Sequence, residues 1–116
     1  EASAGFFPLV APYIGVLGAF MTGSNTNSNA MFGLLQVETA RELGIGTVTI
    51  ASVQSIGGSI GSSLAPAKVM VAAALVGLSG RESGILRLVT PYVLVLVLLA
   101  GVEALVLSTI LTSWER

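Results

Sequence analysis

The chain has 116 residues, of which 53% are hydrophobic and only 9% charged, with a mean hydropathy of +0.91 and a net charge of −1. A soluble domain carries about 25% charged residues, so this composition points to an integral membrane protein, and the balanced charge leaves no basic surface for nucleic acid. Cysteine, histidine and aspartate are all absent, which excludes a disulfide framework, Ser-His-Asp and Cys-His nucleophilic sites and most zinc sites; no metal or cofactor is expected.

Residues 4–21 are apolar, but Pro8, Pro12, Gly5, Gly15 and Gly18 should interrupt or thin a helix there. The uncharged polar run 22–29 follows, made only of small, hydroxyl or amide residues. A second apolar arm, 30–43, would be about 21 Å long, too short for a hydrocarbon core of about 30 Å. Arg41 and Glu42 mark its exit to water, and Gly44 and Gly46 a turn. Residues 4–43 therefore read as a re-entrant helical hairpin with a polar tip.

Residues 47–56 form a short apolar helix of about 15 Å, and 67–78 another of about 18 Å. Between them, 57–66 holds three glycines, three serines and Pro66, a composition that should break a helix. Residues 47–78 thus read as one transmembrane helix broken near its middle, as substrate-binding helices of secondary transporters are. Residues 79–87 form a polar loop, placed on the cytoplasmic side by Arg81 and Arg87. Residues 88–112 are the clearest spanning helix, with Pro91 in its first turn and Trp114 at the interface. With three or four crossings, the chain reads as a piece of a longer, all-α integral membrane protein.

Four features carry candidate chemistry. At the hairpin tip, Ser24, Asn25, Thr26, Asn27, Ser28 and Asn29 would join free backbone N–H groups and a positive helix end, a combination that suits a carboxylate; a solvated loop would look the same. Gly57, Gly58, Gly61 and the hydroxyls of Ser59, Ser62 and Ser63 would complete the site from the helix break, although glycines four apart also suit close helix packing. Lys68 sits near the start of the second half-helix, where the dipole disfavours a cation, and a bound carboxylate or an acidic residue elsewhere would compensate. Glu103, inside the last helix, is either a proton-coupling carboxyl or a hydrogen-bonded glutamate facing another helix. Gln36 and Gln54 either bond across helices or face a cavity. No phosphate-binding loop or dinucleotide fingerprint occurs.

The runs Gly23-Ser24-Asn25-Thr26-Asn27-Ser28-Asn29, Phe32-Gly33, Leu35-Gln36, Gln54 with Gly57-Gly58 and Gly61, Ala65-Pro66-Ala67-Lys68, Gly77-Leu78 with Gly80 and Glu82, and Ile85-Leu86-Arg87 together resemble the C-terminal part of the bacterial L-lactate permease family. The resemblance extends from about residue 18 to residue 87 and does not reach Glu103. It implies uptake of L-lactate and related 2-hydroxy monocarboxylates such as glycolate, with protons, across the inner membrane, and therefore not an enzyme. Its implied partners are the small carboxylate, protons, membrane lipid and the rest of the same polypeptide. It also implies the second half of an inverted-repeat transporter, in which a hairpin tip faces a broken helix. A carrier of another small organic anion, or a non-transporting membrane scaffold subunit, would use similar sequence; the scaffold would bury its polar stretches at helix contacts.

Overall fold

A computed structural model describes residues 2–111. They form five helices: α1 (Ala2–Thr22), α2 (Asn25–Glu42), α3 (Thr47–Ser62), α4 (Pro66–Leu75) and α5 (Glu82–Ile110). Among the described residues there is no strand. α1 and α5 are each long and apolar enough to cross a membrane, and α3 with α4 would be a third, bent span. The chain is an all-α membrane protein.

α1 and α2 form the expected hairpin, but its arms differ from the expectation. Pro8 and Pro12 lie inside an uninterrupted α1. Both are fully buried, and packing of α1 against α2, α3 and α5 holds the helix through the two missing N–H groups. The polar tip is only Gly23 and Ser24. Gly23 takes a left-handed φ of 73°, a conformation that costs glycine little, and its N–H bonds Ala19 O at 2.7 Å. Ser24 then caps α2, its side chain accepting from the Asn27 N–H at 3.3 Å. Asn25, Thr26, Asn27, Ser28 and Asn29 are therefore the first turns of α2 and not a loop. α2 has 18 residues, about 27 Å, so the argument for re-entry from a short second arm does not stand.

α3 also runs further than expected. It passes through Gly57, Gly58 and Gly61 to Ser62, and the interruption is confined to residues 63–65, where α4 leaves α3 at a bend of 40°. The three glycines are helical because their missing side chains are where neighbouring elements touch. A Cβ on Gly57 would collide with the Pro12 carbonyl, one on Gly61 would lie 2.5 Å from Val16 Cα, and one on Gly58 would strike the Asn25 amide oxygen. Small residues four apart thus bring α3 against the backbone of α1. Pro66 opens α4 at its first turn, as expected. α4 ends at Leu75, and α5 begins at Glu82, whose carboxylate accepts the Gly80 N–H at 3.0 Å. Pro91 accordingly lies inside α5, beyond its first turn. Thr112 and Trp114 lie outside the described residues.

The heights of these elements position the tip. α5 runs antiparallel along α3 and α4: Ile50 and Val53 pack with Ala104, and Leu64 packs with Val93 and Val97. A Cβ on Gly23 would lie 3.8 Å from Ala65 Cβ, so the hairpin ends beside the bend. That level on α5 is about 16 Å from its first residue and about 25 Å from its last. α4 and the first turns of α5 continue past the tip.

Candidate functional site

The tip is stiffened locally before it meets anything else. The Thr22 hydroxyl donates to Gly18 O at 2.8 Å and accepts the Ser24 N–H at 3.3 Å. The Ser28 N–H bonds Ser24 O at 3.0 Å. With Ser24 Oγ capping Asn27, the N–H groups of Asn25 and Thr26 open α2 without a helical acceptor. Thr26 and Asn27 are exposed beside them.

The other polar residues of this run are turned inward. Asn25 donates to Ser59 Oγ at 2.8 Å and Asn29 to Ser55 Oγ at 3.0 Å. Ser28 is fully buried, and its hydroxyl donates to Gly15 O at 2.8 Å. Gln54 reaches the same place from α3, its amide nitrogen 3.2 Å from Ser28 Oγ and 3.3 Å from both Ser28 O and Asn29 Oδ1. Gln36 donates to Ala11 O at 3.0 Å and to the Gln54 side-chain oxygen. Gln36 and Gln54 therefore bond across helices and do not face a cavity. This network contains no charged group. Ser59, expected among the hydroxyls of the break that meet the tip, does meet it through Asn25. Ser55 was missed in the sequence, although a signal was present: it lies four residues before Ser59, as Asn25 lies four before Asn29, which aligns one face of each helix.

Between tip and bend lies a cavity of about 390 Å³ lined by Phe20, Met21, Thr22, Gly23, Ala65, Pro66 and Ala67. Tip and break are thus adjacent, but none of the candidate residues lines the space between them. Ser62 donates to Ser59 O at 3.0 Å and Ser63 to Ile60 O at 2.6 Å, so both hydroxyls bond back to their own helix. Lys68 is exposed and lines a different groove, between α4 and α5, with Ser63, Val69 and Leu86. Glu103 is exposed on α5 at the level of Val53, about 16 Å along α3 from the bend. The site residues thus divide into an outward set at the tip (Ser24, Thr26, Asn27), an inward set that fixes the hairpin to α3 (Asn25, Ser28, Asn29, Gly57, Gly58, Gly61), and outlying residues.

A hairpin seated by uncharged bonds against a bent helix, next to a long apolar helix, defines a helical membrane protein with a polar tip partway along its length. A family model described as L-lactate permease matches residues 1–111. The chain belongs to the L-lactate permease family. It is 41% identical over 93 residues to an L-lactate permease of Bacillus subtilis, covering 80% of this chain and 16% of that protein. It is 35% identical over 107 residues to the glycolate permease GlcA of Escherichia coli K12, covering 92% of this chain and 19% of that protein. An L-lactate permease of Salmonella typhi is 35% identical over 106 residues, covering 91% and 19%. The chain therefore spans between about a sixth and a fifth of the length of these curated relatives. No solved structure matches it.

Proposed function

We propose that this chain is part of a carrier that takes up L-lactate and glycolate across the inner membrane together with protons, and that the α1–α2 tip is one wall of its carboxylate site. The observation that carries this reading is the position of the tip, beside the α3–α4 bend and partway along α5. If α5 spans the bilayer, the hairpin stops inside it, which restores the re-entrant reading on the height of the tip and not on the length of α2. The uncapped N–H groups of α2, with the Ser24, Thr26 and Asn27 side chains, offer donors and a positive helix end to a carboxylate without a buried cation. Asn25, Ser28 and Asn29 act as positioning residues. The bend supplies the facing wall, and Lys68 adds positive charge from the adjoining groove. Protons are the proposed coupling ion, with Glu103 as a carboxyl able to carry one from outside the wall.

Uptake by the full-length permease tests the wall. Removing one neutral hydrogen bond costs about 0.5–1.5 kcal/mol, roughly a 2- to 12-fold loss of affinity. Thr26→Val and Asn27→Ala should each raise the apparent KM for L-lactate by that factor at unchanged protein abundance. Unchanged KM in both variants contradicts the assignment. A carrier for another small organic anion would instead show counterflow with that anion and not with L-lactate or glycolate. The scaffold reading has one observation in its favour, since Asn25, Ser28 and Asn29 do lie at helix contacts; it leaves the exposed Thr26 and Asn27 unexplained.

A further inference from the structure

The cavity between the tip and the bend is nearly free of polar chemistry. Its volume is about 390 Å³, and its walls include Phe20 and Met21 from the last turn of α1 and Ala65, Pro66 and Ala67 from the bend. The Thr22 hydroxyl on its rim donates to Gly18 O and accepts the Ser24 N–H, and the Gly23 N–H bonds Ala19 O. Pro66 has no N–H to offer, which leaves the Ala67 N–H, at the start of α4, as a donor without a helical acceptor. Among the described residues no charged side chain lines this cavity. Lys68, one residue beyond Ala67, lines the groove between α4 and α5 instead.

Gly23 stands in the cavity wall, and Asn25, whose N–H opens α2, is two residues further on, so their Cα atoms are at most about 7.6 Å apart. In a 2-hydroxy monocarboxylate the substituent hangs from the carbon next to the carboxyl. An acid whose carboxylate meets the α2 N–H groups therefore has its substituent within reach of the cavity. A carbon substituent gains by leaving water for such walls, whereas a second carboxylate would lose its hydration with no cation to replace it. The volume is an order of magnitude above the ~30 Å³ of one liquid water, which leaves room for more than a methyl group.

We propose that this cavity receives the carbon substituent of the transported acid, the methyl group in the case of L-lactate, and that Met21 on α1 and Ala67 on α4 set the size it admits. The carrier then selects monocarboxylates with an apolar substituent and rejects hydroxydicarboxylates. The proposal deepens the reading of the tip as a carboxylate wall and rests on it. The selecting residues all belong to the described chain.

The test follows uptake of labelled glycolate by the full-length permease in membrane vesicles, against unlabelled competitors. In the unaltered protein, 2-hydroxybutanoate should compete at least tenfold better than 2-hydroxybutanedioate; a smaller preference overturns the proposal, and this arm needs no variant to fold. Ala67→Phe and Met21→Trp then narrow the cavity from two walls. A filled pocket rejects an extra methylene by roughly 10- to 200-fold. Each variant that reaches wild-type abundance should therefore raise the half-inhibiting concentration of 2-hydroxybutanoate, relative to that of unlabelled glycolate, at least tenfold, and a smaller rise overturns the assignment of that residue. Thr26→Val, on the carboxylate wall, should weaken both acids alike. If it does so while the cavity variants leave the ratio unchanged, the cavity assignment fails alone; if it moves neither acid, wall and cavity fail together.

Discussion

The glycines of α3 show how one residue type can serve opposite ends. Gly57, Gly58 and Gly61 suit a broken helix by propensity, yet they are helical because Pro12, Val16 and Asn25 occupy the space their side chains would fill. Only the contact, which joins residues more than thirty positions apart, separates the two outcomes, and that contact is invisible in local composition. Gly61→Leu should therefore act through overpacking, at a cost of about 1–3 kcal/mol or more, seen as a lower thermal midpoint of the full-length permease in detergent. An unchanged midpoint would return Gly61 to a role in backbone flexibility. Gln54 is the polar counterpart. Its amide serves Ser28, Asn29 and Gln36 at once, and Gln54→Leu strands buried polar groups at about 1–3 kcal/mol, measurable in the same melting experiment.

At the scale of elements, the hydrophobic runs made the hairpin, the bent helix and the long last helix legible, because each is a contiguous apolar segment bounded by polar or helix-ending residues. The start of α2 was not legible. Asn, Ser and Thr are weak helix formers, and what overrides them here is the cap at Ser24 together with partners 25 to 34 residues away on α3. The candidate site was legible as a stretch but not as two faces, since alternation between Thr26 or Asn27 and Asn25, Ser28 or Asn29 acquires meaning only once the run is helical. The contacts between α2 and α3 imply that hairpin and α3 move together. A double-mutant cycle on Asn29→Ala and Ser55→Ala should give a coupling of about 0.6 kcal/mol, the scale of interhelical hydrogen bonds in membranes; additive effects would show that the bond does not join the two elements.

On the scale of the whole molecule, membership in the L-lactate permease family and the heights of the helices bear on the same question from different sides. The chain supplies a tip, a bend and a long apolar helix against which their depth can be read. The remaining length of its relatives, four fifths or more of each, lies outside it. The central claim is that the outward face of the tip meets the transported acid from water. Cysteine accessibility in a cysteine-free full-length permease tests it directly. Asn27→Cys should react with a membrane-impermeant maleimide and be protected by saturating L-lactate or glycolate, while Ser28→Cys, one residue along but packed against α1, should stay unreactive. Labelling of Asn27→Cys that L-lactate and glycolate leave unchanged, or no labelling from either side of the membrane, would contradict the account.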